Sequence, residues 1–415
     1  MPAHRCFWYS AVLTRCSIGA IFLGCAFVRA QVPILASTPG GNVNVYNTDL
    51  AVFESGDDRK DLPCTVVQLK PTLGFDLRFH SGYEVTVPLK ELAGMDDLLT
   101  IVFRVGADHQ KYELYIFSQR IHVPAIESDA KGDAYLQGAF DLGEGKYHVD
   151  WLMRDRSERV CSSSWDSEAA LTQKDRQMNL SMAPGVIQRA DFEQFKEEPP
   201  VQRAQGELPL NVKVLVNFAP QNSLSATLQP LDTSALVSIL RTLSREPRIG
   251  KFSIIAFNMQ EQRVIYRQEG ADRIDFPALG EALTQLSLGT VDFKQLGQKH
   301  GDTEFLTHLI QKECAATTRP DALIFAGPKV MLDANVPQDS LKQLADVDYP
   351  VFYMNYNLNP QVTPWKDSIS HAVKYFKGYE YTITRPRDLW FAVSEMVGRI
   401  VKSRNGRQAS AISSQ

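Results

Sequence analysis

The histidine, serine and carboxylate side chains of this sequence are not arranged in any of the short motifs that usually carry catalysis. The sequence contains no G-x-S-x-G nucleophile elbow, no H-E-x-x-H zinc helix and no phosphate-binding P-loop. Six of its eight histidines are too scattered to share a metal ion by local spacing: His80, His122, His148, His300, His308 and His371. We therefore predict that the protein is not an enzyme, and that it has no catalytic residue, no metal site and no cofactor.

One polar segment follows an apolar run in the position where a binding site is expected. Asn211–Pro220 reads NVKVLVNFAP, a β-branched run with a single lysine that is typical of a strand buried on both faces. In open α/β sheets, ligands bind beyond the carboxyl ends of the strands. The segment from Asn217 to Ser225 occupies that place. We predict a binding surface there.

Three cysteines follow the first thirty residues: Cys64, Cys161 and Cys314. Cys64 and Cys161 fall in the same predicted domain, and we predict that they form a disulfide in an oxidising compartment. Cys314 lies on a predicted helix and is expected to be a buried thiol. The sequence contains no CxxC pair, so a structural zinc site is not expected.

The first thirty residues predict export. Basic residues precede an apolar run from Ile18 to Val28, and Val28-Arg29-Ala30 fits a signal-peptidase site cleaved after Ala30. The alternative is a membrane anchor, but the run is shorter than the roughly 20 apolar residues that a spanning helix needs. We expect a protein that is secreted or located in the periplasm or cell envelope, without an integral membrane span after cleavage. The formal net charge of −4 provides no global field for binding nucleic acid.

The strands and helices predicted around these residues fall into two groups. Between Leu62 and about Ala183, apolar and polar residues alternate in short segments separated by turn signals, which is typical of an all-β immunoglobulin-like sandwich. After Asn211, strands alternate with amphipathic helices, which predicts an α/β Rossmann-like domain. The predicted division is a signal peptide at 1–30, a disordered lead-in at 31–61, a β-sandwich domain at 62–186, a linker at 187–210, an α/β domain at 211–403 and a disordered tail at 404–415.

The order of elements after Asn211 resembles a von Willebrand factor type A (vWA) domain. Ser253–Phe257 looks like the second strand of that family, Gly301-Asp302-Thr303 like its threonine turn, and Asp321–Gly327 like its fourth strand. The resemblance covers roughly residues 211–402. The layout of export signal, sandwich and second domain is similar to secreted VWFA-related proteins of Acidobacteria. The resemblance implies a vWA-like α/β fold that presents the carboxyl ends of its strands to a partner.

The resemblance also implies a cation site, the MIDAS, whose ligands this sequence does not retain. The family binds a divalent cation through an Asp-x-Ser-x-Ser motif, a threonine and a second aspartate, because Mg²⁺ prefers oxygen ligands with carboxylate charge. Only Thr303 matches that set. The other positions hold residues with neither a carboxylate nor a hydroxyl group: Asn217, Ala219, Gln221 and Ala326. We predict a degenerate MIDAS without a metal; the alternative is a site rebuilt, after a shift of the loop, from Asp302, Glu304, Ser223 and Ser225.

These observations lead to three hypotheses about function. The first is a non-enzymatic protein–protein interaction or adhesion-type protein that binds a protein partner of unknown identity. Its predicted ligand-binding surface consists of residues at the strand ends: Asn217, Ser223, Ser225, Thr303 and Gly327. Trp365 lies on a predicted loop and would be a further contact, since loop aromatics often anchor interfaces. The alternative is an extracellular hydrolase or carbohydrate-active enzyme with the sandwich as its binding module, and the third is a structural component of the envelope.

Overall fold

The computed structural model describes most of the chain beyond the predicted signal peptide. The described residues are 35–37, 45–94, 96–108, 114–191, 193–204, 208–222, 225, 228–286, 300–315, 319–344 and 347–413. The predicted signal peptide and Ser223 lie outside them. Within the described ranges, no helix is both long enough and apolar enough to cross a bilayer.

The first half of the chain forms two antiparallel sheets that pack as a β-sandwich. One sheet has the strand order β1-β5-β4-β7-β8 and the other the order β2-β3-β6-β9. Alternating residues face the space between the sheets, as the period of two in the sequence predicts. The strands are β1 Leu35–Ser37, β2 Thr65–Leu73, β3 Phe79–Pro88, β4 Asp97–Ala107, β5 Leu114–Val123, β6 Asp133–Leu142, β7 Gly145–Arg154, β8 Val160–Ala169 and β9 Ile187–Arg189.

Large aromatic rings fill the interior of the sandwich. The ring of Tyr83 lies 5.4 Å from that of Phe103 and 5.3 Å from that of Trp151, measured between centroids. The buried hydroxyl of Tyr83 donates to Oε1 of Gln119 at 3.0 Å, so that its polar tip is satisfied. A disulfide joins Cys64 to Cys161, whose Cα atoms are 6.2 Å apart and 97 residues apart in sequence.

The lead-in that the sequence predicts to be disordered contains regular structure. Strand β1 pairs with β5, and helix α1, Asn47–Ser55, packs Val52 and Phe53 against the outer side of the sandwich. Asp49 on this helix accepts a hydrogen bond of 3.0 Å from the Arg154 guanidinium, and both side chains are buried. The polar composition of the segment predicted disorder, but two apolar residues and one buried ion pair hold it on the sheet.

The second half of the chain forms a six-stranded mixed sheet with the order β12-β11-β10-β13-β14-β15. Every neighbouring pair is parallel except β11 and β12, which are antiparallel. Strand β10 lies inside the sheet and is buried along almost its whole length, in agreement with the apolar run that starts at Asn211. The strands are β10 Leu210–Asn217, β11 Ile249–Asn258, β12 Arg263–Ala271, β13 Ala322–Gly327, β14 Val351–Tyr356 and β15 Tyr379–Ile383.

Helices cover both faces of this sheet and create two separate apolar cores. One core lies against α2, α3 and α7, and the other against α4, α5 and α6. The predicted tail after residue 404 is helical instead, because α7 continues to Ser413 and Arg407 pairs with Asp321 at 3.3 Å. The helices are α2 Pro230–Ser244, α3 Phe276–Leu283, α4 Gly301–Cys314, α5 Gln338–Lys342, α6 Ser368–Tyr375 and α7 Pro386–Ser413.

The fold class predicted from the sequence, an α/β Rossmann-like vWA domain preceded by an immunoglobulin-like sandwich, is wrong as a description of the chain. The described residues lie more in strands than in helices, and three sheets, two of them in the sandwich, dominate the architecture. The alternation of strands and helices in the sequence indicates which elements form. It does not identify a family, since many unrelated proteins place helices on a parallel or mixed sheet.

Candidate functional site

Buried asparagines lie at or next to the carboxyl ends of three strands of the six-stranded sheet. Asn258 ends β11, Asn217 ends β10 and Asn355 lies next to the end of β14, and each side chain is fully buried. Gly327, at the end of β13, lies between Asn217 and Asn355 in the register of the strands. These neutral amides lie buried beneath the edge of the sheet at which the sequence predicts a binding site.

The amides use most of their hydrogen-bonding capacity to hold the segments that follow the strands. Asn258 donates to the Phe218 carbonyl at 2.6 Å and accepts from the Glu261 amide at 2.8 Å. Asn217 accepts from the Met259 amide at 3.2 Å, while its own Nδ2 has no partner among the described residues. The amide groups carry no charge and no nucleophile, so their visible role is to shape the edge.

Gly327 makes this close arrangement possible. Its φ of +154° lies in a region that side chains rarely adopt. A Cβ atom at this position would lie 2.8 Å from the Cβ of Asn217, which is too close for two carbon atoms. The glycine therefore lets β10 and β13 approach at their carboxyl ends, and it brings two of the sequence-predicted site residues together.

The other residues of the predicted ligand-binding surface do not join this pair in an exposed patch. Thr303 is buried near the start of α4, and its hydroxyl donates to the Ala334 carbonyl at 3.1 Å. The Ser225 hydroxyl accepts from Nε2 of Gln229 at 3.2 Å, and Ser223 lies outside the described residues. Asn217, Thr303 and Gly327 are buried, so these three residues offer no exposed side chain at this edge.

Gln221 organises the exposed part of the same edge. Its Nε2 group donates to the Asn359 carbonyl at 2.7 Å and to Oγ1 of Thr363 at 2.9 Å. Its Oε1 atom accepts from the amides of Leu358 and Asn359 at 2.9 and 3.1 Å. One buried side chain thus ties the loop after β14 to the loop after β10. Comparison of the sequence with the vWA motif identifies Gln221 only as a position where a metal-ligating serine is absent. It does not reveal that Gln221 connects the two loops.

The tied loop leads to an exposed tryptophan. The side chain of Trp365 is 79% exposed, and the ammonium group of Lys366 lies 4.4 Å from its ring centroid. Met331, 54% exposed, lies on the segment that pairs with this loop, because Ser368 donates to the Val330 carbonyl at 2.8 Å. Trp365 and Met331 are therefore two large apolar side chains that are exposed to solvent on neighbouring segments of one edge.

Asp367 fixes these two segments to each other. Its Oδ1 atom accepts from the amides of Val330 and Ile369, at 3.3 and 3.1 Å, and so caps the start of α6. Burial raises the pKa of the Asp367 carboxyl to about 6, although the backbone hydrogen bond from Val330 opposes the shift. An aspartate followed by a serine before an apolar face is a helix-start signal, so this residue was within reach of sequence reasoning.

A second polar cluster lies at one end of the sandwich. His80 bonds through Nδ1 to Asp141 at 2.7 Å and through Nε2 to Asp76 at 3.0 Å, and Arg78 lies 3.5 Å from Asp141. Three ligand atoms of this group lie close enough to hold a metal ion. Burial alone would lower the pKa of His80, but its bonds to the carboxylates raise it to about 10. The direct contacts of the cluster are ion pairs between His80 and the two carboxylates.

The same cluster does not provide the acid and base of a glycosidase. That chemistry needs two carboxyl groups with free faces, one of them with a raised pKa. Asp76 and Asp141 are both bound to His80, and although burial alone would raise the pKa of Asp76, its bonds to His80 and the charge of Arg78 lower it. The cluster therefore gives no support to the hydrolase alternative.

Comparison with known proteins does not assign the chain to a family. No family model and no curated protein matches it, so the resemblance drawn from the sequence stays a prediction. Among solved structures, a mutant of the PilB minor pilin from Streptococcus sanguinis matches at a TM-score of 0.26 and 8% identity, over 72% of this chain and 87% of the pilin chain. A β-glucuronidase from Bacteroides uniformis matches at 0.18 and 10%, over 76% of this chain and 38% of the enzyme.

A glucanotransferase from Paenibacillus gives a similar result, with a TM-score of 0.18 and 10% identity over 74% of this chain and 46% of the enzyme. The chain thus spans less than half the length of either enzyme. At these scores the likenesses carry no conclusion about fold or activity.

Proposed function

We propose that this chain is an exported, non-enzymatic protein that binds a protein partner through the loops at the carboxyl edge of its second sheet. The observation that carries the proposal is Trp365, a large aromatic side chain left in water on a loop that Gln221 holds in place. Tryptophan is enriched among the residues that dominate interface energies. A single exposed apolar residue would need no explanation, but here Met331 lies on the adjoining segment.

The anchoring of these loops is the second support. Ordering a loop on binding costs free energy, so a loop that is already fixed binds more tightly than a mobile one with the same contacts. Gln221 fixes residues 358–363, and Asp367 fixes Val330 against the start of α6. The amides beneath them offer no charge to a metal ion, so the interaction is proposed to be independent of divalent cations.

The proposed place of action is outside the cytoplasm, in the medium, periplasm or cell envelope. The support is the apolar run between Ile18 and Val28 with its small residues at the cleavage position, together with the disulfide between Cys64 and Cys161, which suits an oxidising compartment. Mass spectrometry of the chain recovered from its native host tests export, since cleavage predicts an amino terminus at Gln31.

A quantitative affinity purification from native envelope and culture medium tests the binding function. The bait variants are the unchanged chain, Trp365→Ala and Tyr135→Ala. Tyr135 is the matched control because it is also aromatic and 67% exposed, but lies on the sandwich. We expect one protein to be lost with Trp365→Ala and kept with Tyr135→Ala, and its purified form to bind the chain equally in EDTA and in Mg²⁺.

Three outcomes would contradict the proposal. Retention of the same proteins by both variants would remove Trp365 from the interface. Binding that disappears in EDTA and depends on Thr303 would restore the metal-dependent interpretation of this edge. Turnover of oligosaccharide or glycoside substrates by the purified chain would instead favour the hydrolase alternative.

A further inference from the structure

A cleft of about 370 Å³ separates the sandwich from the helices of the second region. The sandwich contributes the turn around Phe75 and Leu77, and the second region contributes α2 and Trp390 of α7. The volume lies within the range of about 300–1,000 Å³ that is usual for small-molecule sites, and such sites occur preferentially between domains. The lining combines apolar surface with hydroxyl and amide groups: Phe75, Leu77, Trp390, Val393, Asn179, Ser181, Ser238 and Thr242.

The charged groups of the cleft leave an excess of positive charge. Arg241 on α2 and Arg245, which follows the last residue of that helix, share a single carboxylate, Glu198, with nitrogen–oxygen distances of 2.8 Å. The two acidic residues in the lining are already paired. Asp76 lies 3.0 Å from His80, and Glu246 lies 2.6 Å from Arg248. Two guanidinium groups thus face one carboxylate, which favours the binding of one further negative charge.

Burial of Arg241 lowers the pKa of its guanidinium, and the charge of Arg245 lowers it further. The charges of Glu198, Asp76 and Asp191 oppose both effects, but Asp76 and Asp191 have cationic partners of their own in His80 and Lys196. Arg241 is nevertheless charged at any physiological pH. A second anion would relieve the repulsion between the two guanidinium groups.

The sandwich wall of the cleft is strained and held in place. Leu77 has a φ of +61°, a left-handed conformation that is strained for a non-glycine residue. Ser181 fixes this turn, because its amide donates to the Leu77 carbonyl at 2.9 Å and its hydroxyl to the Asp76 carbonyl at 2.6 Å. Strained residues that their surroundings hold in place are enriched at ligand clamps.

From these observations we propose that the cleft binds a small organic anion, a carboxylate with an apolar body. The carboxylate lies beside the guanidinium groups of Arg241 and Arg245, and the apolar body packs against Phe75, Leu77 and Trp390. The hydroxyl groups of Ser238 and Thr242 are available at the same wall. This site is separate from the edge that carries Trp365, so it stands whether or not that edge binds a protein.

Isothermal titration of the purified full chain with benzoate and with its neutral analogue benzamide tests the proposal. We expect benzoate to bind with a millimolar or lower Kd and benzamide to bind about tenfold more weakly, because only benzoate carries the charge. Ser394→Glu places a carboxylate on the lining of the cleft at an exposed position of α7, and is expected to weaken benzoate about tenfold. Asn405→Glu, exposed on the same helix but outside the cleft, is the matched control and should leave the Kd unchanged.

Four results would overturn the proposal. The first two are equal binding of benzoate and benzamide, and equal effects of Ser394→Glu and Asn405→Glu. The third is the absence of benzoate binding at about 10 mM by a chain whose circular dichroism is native. Binding of a neutral monosaccharide such as glucose in place of benzoate would also reject the anion. A partner assay with Trp365→Ala is independent of each of these results.

Discussion

Each half of the molecule contains a polar region, and the two regions are built in opposite ways. At the end of the sandwich the groups are charged: Asp141 is buried, Asp76 and His80 are half-buried, and each carboxylate has a cationic partner. At the carboxyl edge of the second sheet the buried groups are neutral amides, and both Nδ2 of Asn217 and Oδ1 of Asn355 lack a partner in the described part of the chain. Away from these two regions, a disulfide closes the sandwich, whereas a buried ion cluster links α4 to the six-stranded sheet.

This difference between charged and neutral polar groups indicates how much each region is destabilised when one of its polar side chains is removed. A paired charge is costly to break because its partner is left unpaired in the interior, so the sandwich end is expected to be rigid. A neutral amide that holds a loop costs less to lose, and its loss frees the loop. The exposed aromatic residue of the proposed interface lies on the loop that Gln221 holds.

Removal of the disulfide tests the sandwich most severely. Cys64→Ala with Cys161→Ala opens a loop of 97 residues, and the chain-entropy account predicts a loss of about 4–5 kcal/mol in the free energy of unfolding. Urea denaturation followed separately for each half by hydrogen exchange measures it. Cys314→Ala, which removes the free thiol, is the control. A double variant no less stable than this control would show that the cross-link is not what closes the sandwich.

Removal of the buried Glu313 carboxylate is expected to destabilise the second half by an amount similar to the effect of the disulfide on the sandwich. Glu313 lies 3.2 Å from Nζ of Lys213 and bonds to Arg267, and both Glu313 and Lys213 are buried. Glu313→Gln leaves Lys213 without a counter-charge and is expected to cost about 3–5 kcal/mol. Asp339→Asn, in an exposed pair with Lys342, should have no measurable effect. Equal results for the two variants would show that burial adds nothing to the ion cluster.

The pH dependence of the same carboxyl has a definite sign. Burial alone would raise the pKa of Glu313, but the hydrogen bonds and charges of Arg267 and Lys213 lower it below 4.5. The pair therefore contributes its full stability above the unfolded pKa and loses it as the pH falls through the folded pKa. We expect the difference in stability between the unchanged chain and Glu313→Gln to shrink in acid, as measured by urea denaturation at a series of pH values.

Replacement of the loop anchor is a smaller and more local test. Gln221→Ala removes the acceptor of the Leu358 and Asn359 amides, at a cost of about 1–3 kcal/mol. Hydrogen exchange of these two amides should accelerate, while exchange in the sandwich stays unchanged. Gln361→Ala, exposed on the same loop, is the control. If the two amides exchange at their original rates in Gln221→Ala, the loop is held by other contacts.

The smallest expected effect belongs to the charged cluster of the sandwich. The carboxylates of Asp141 and Asp76 outweigh burial and raise the pKa of His80 to about 10, so its stabilisation is complete below about pH 6.5 and is lost as the pH rises through about 10. The His80 side chain is 41% exposed, which keeps the effect modest. Denaturation between pH 6 and 10 of the unchanged chain and His80→Gln should show a difference that falls with pH. A constant difference would mean that His80 is not charged in the fold.

Local patterns in the sequence predicted much of the secondary structure and little of the site. The alternation around Tyr83 and the apolar run from Asn211 correspond to observed strands because burial on one or two faces imposes those periods directly. The role of Gln221 could not be predicted, since its partners lie more than 130 residues away and were brought to it by the sheet. The vWA resemblance directed attention to residues that the fold then buried, such as Asn217 and Thr303.

The sequence by itself determined the elements, the pattern that predicts export, and the two cysteines that can meet in the sandwich. Tertiary structure alone decided which polar residues are buried, which are paired and which segments stand in water. The physical reason is that the period of a strand or helix depends on neighbours two to four residues away. The cost of burying a polar atom depends instead on which distant group faces it. The exposure of Trp365 and the set of residues that line the cleft beside Arg241 both depend on such distant contacts.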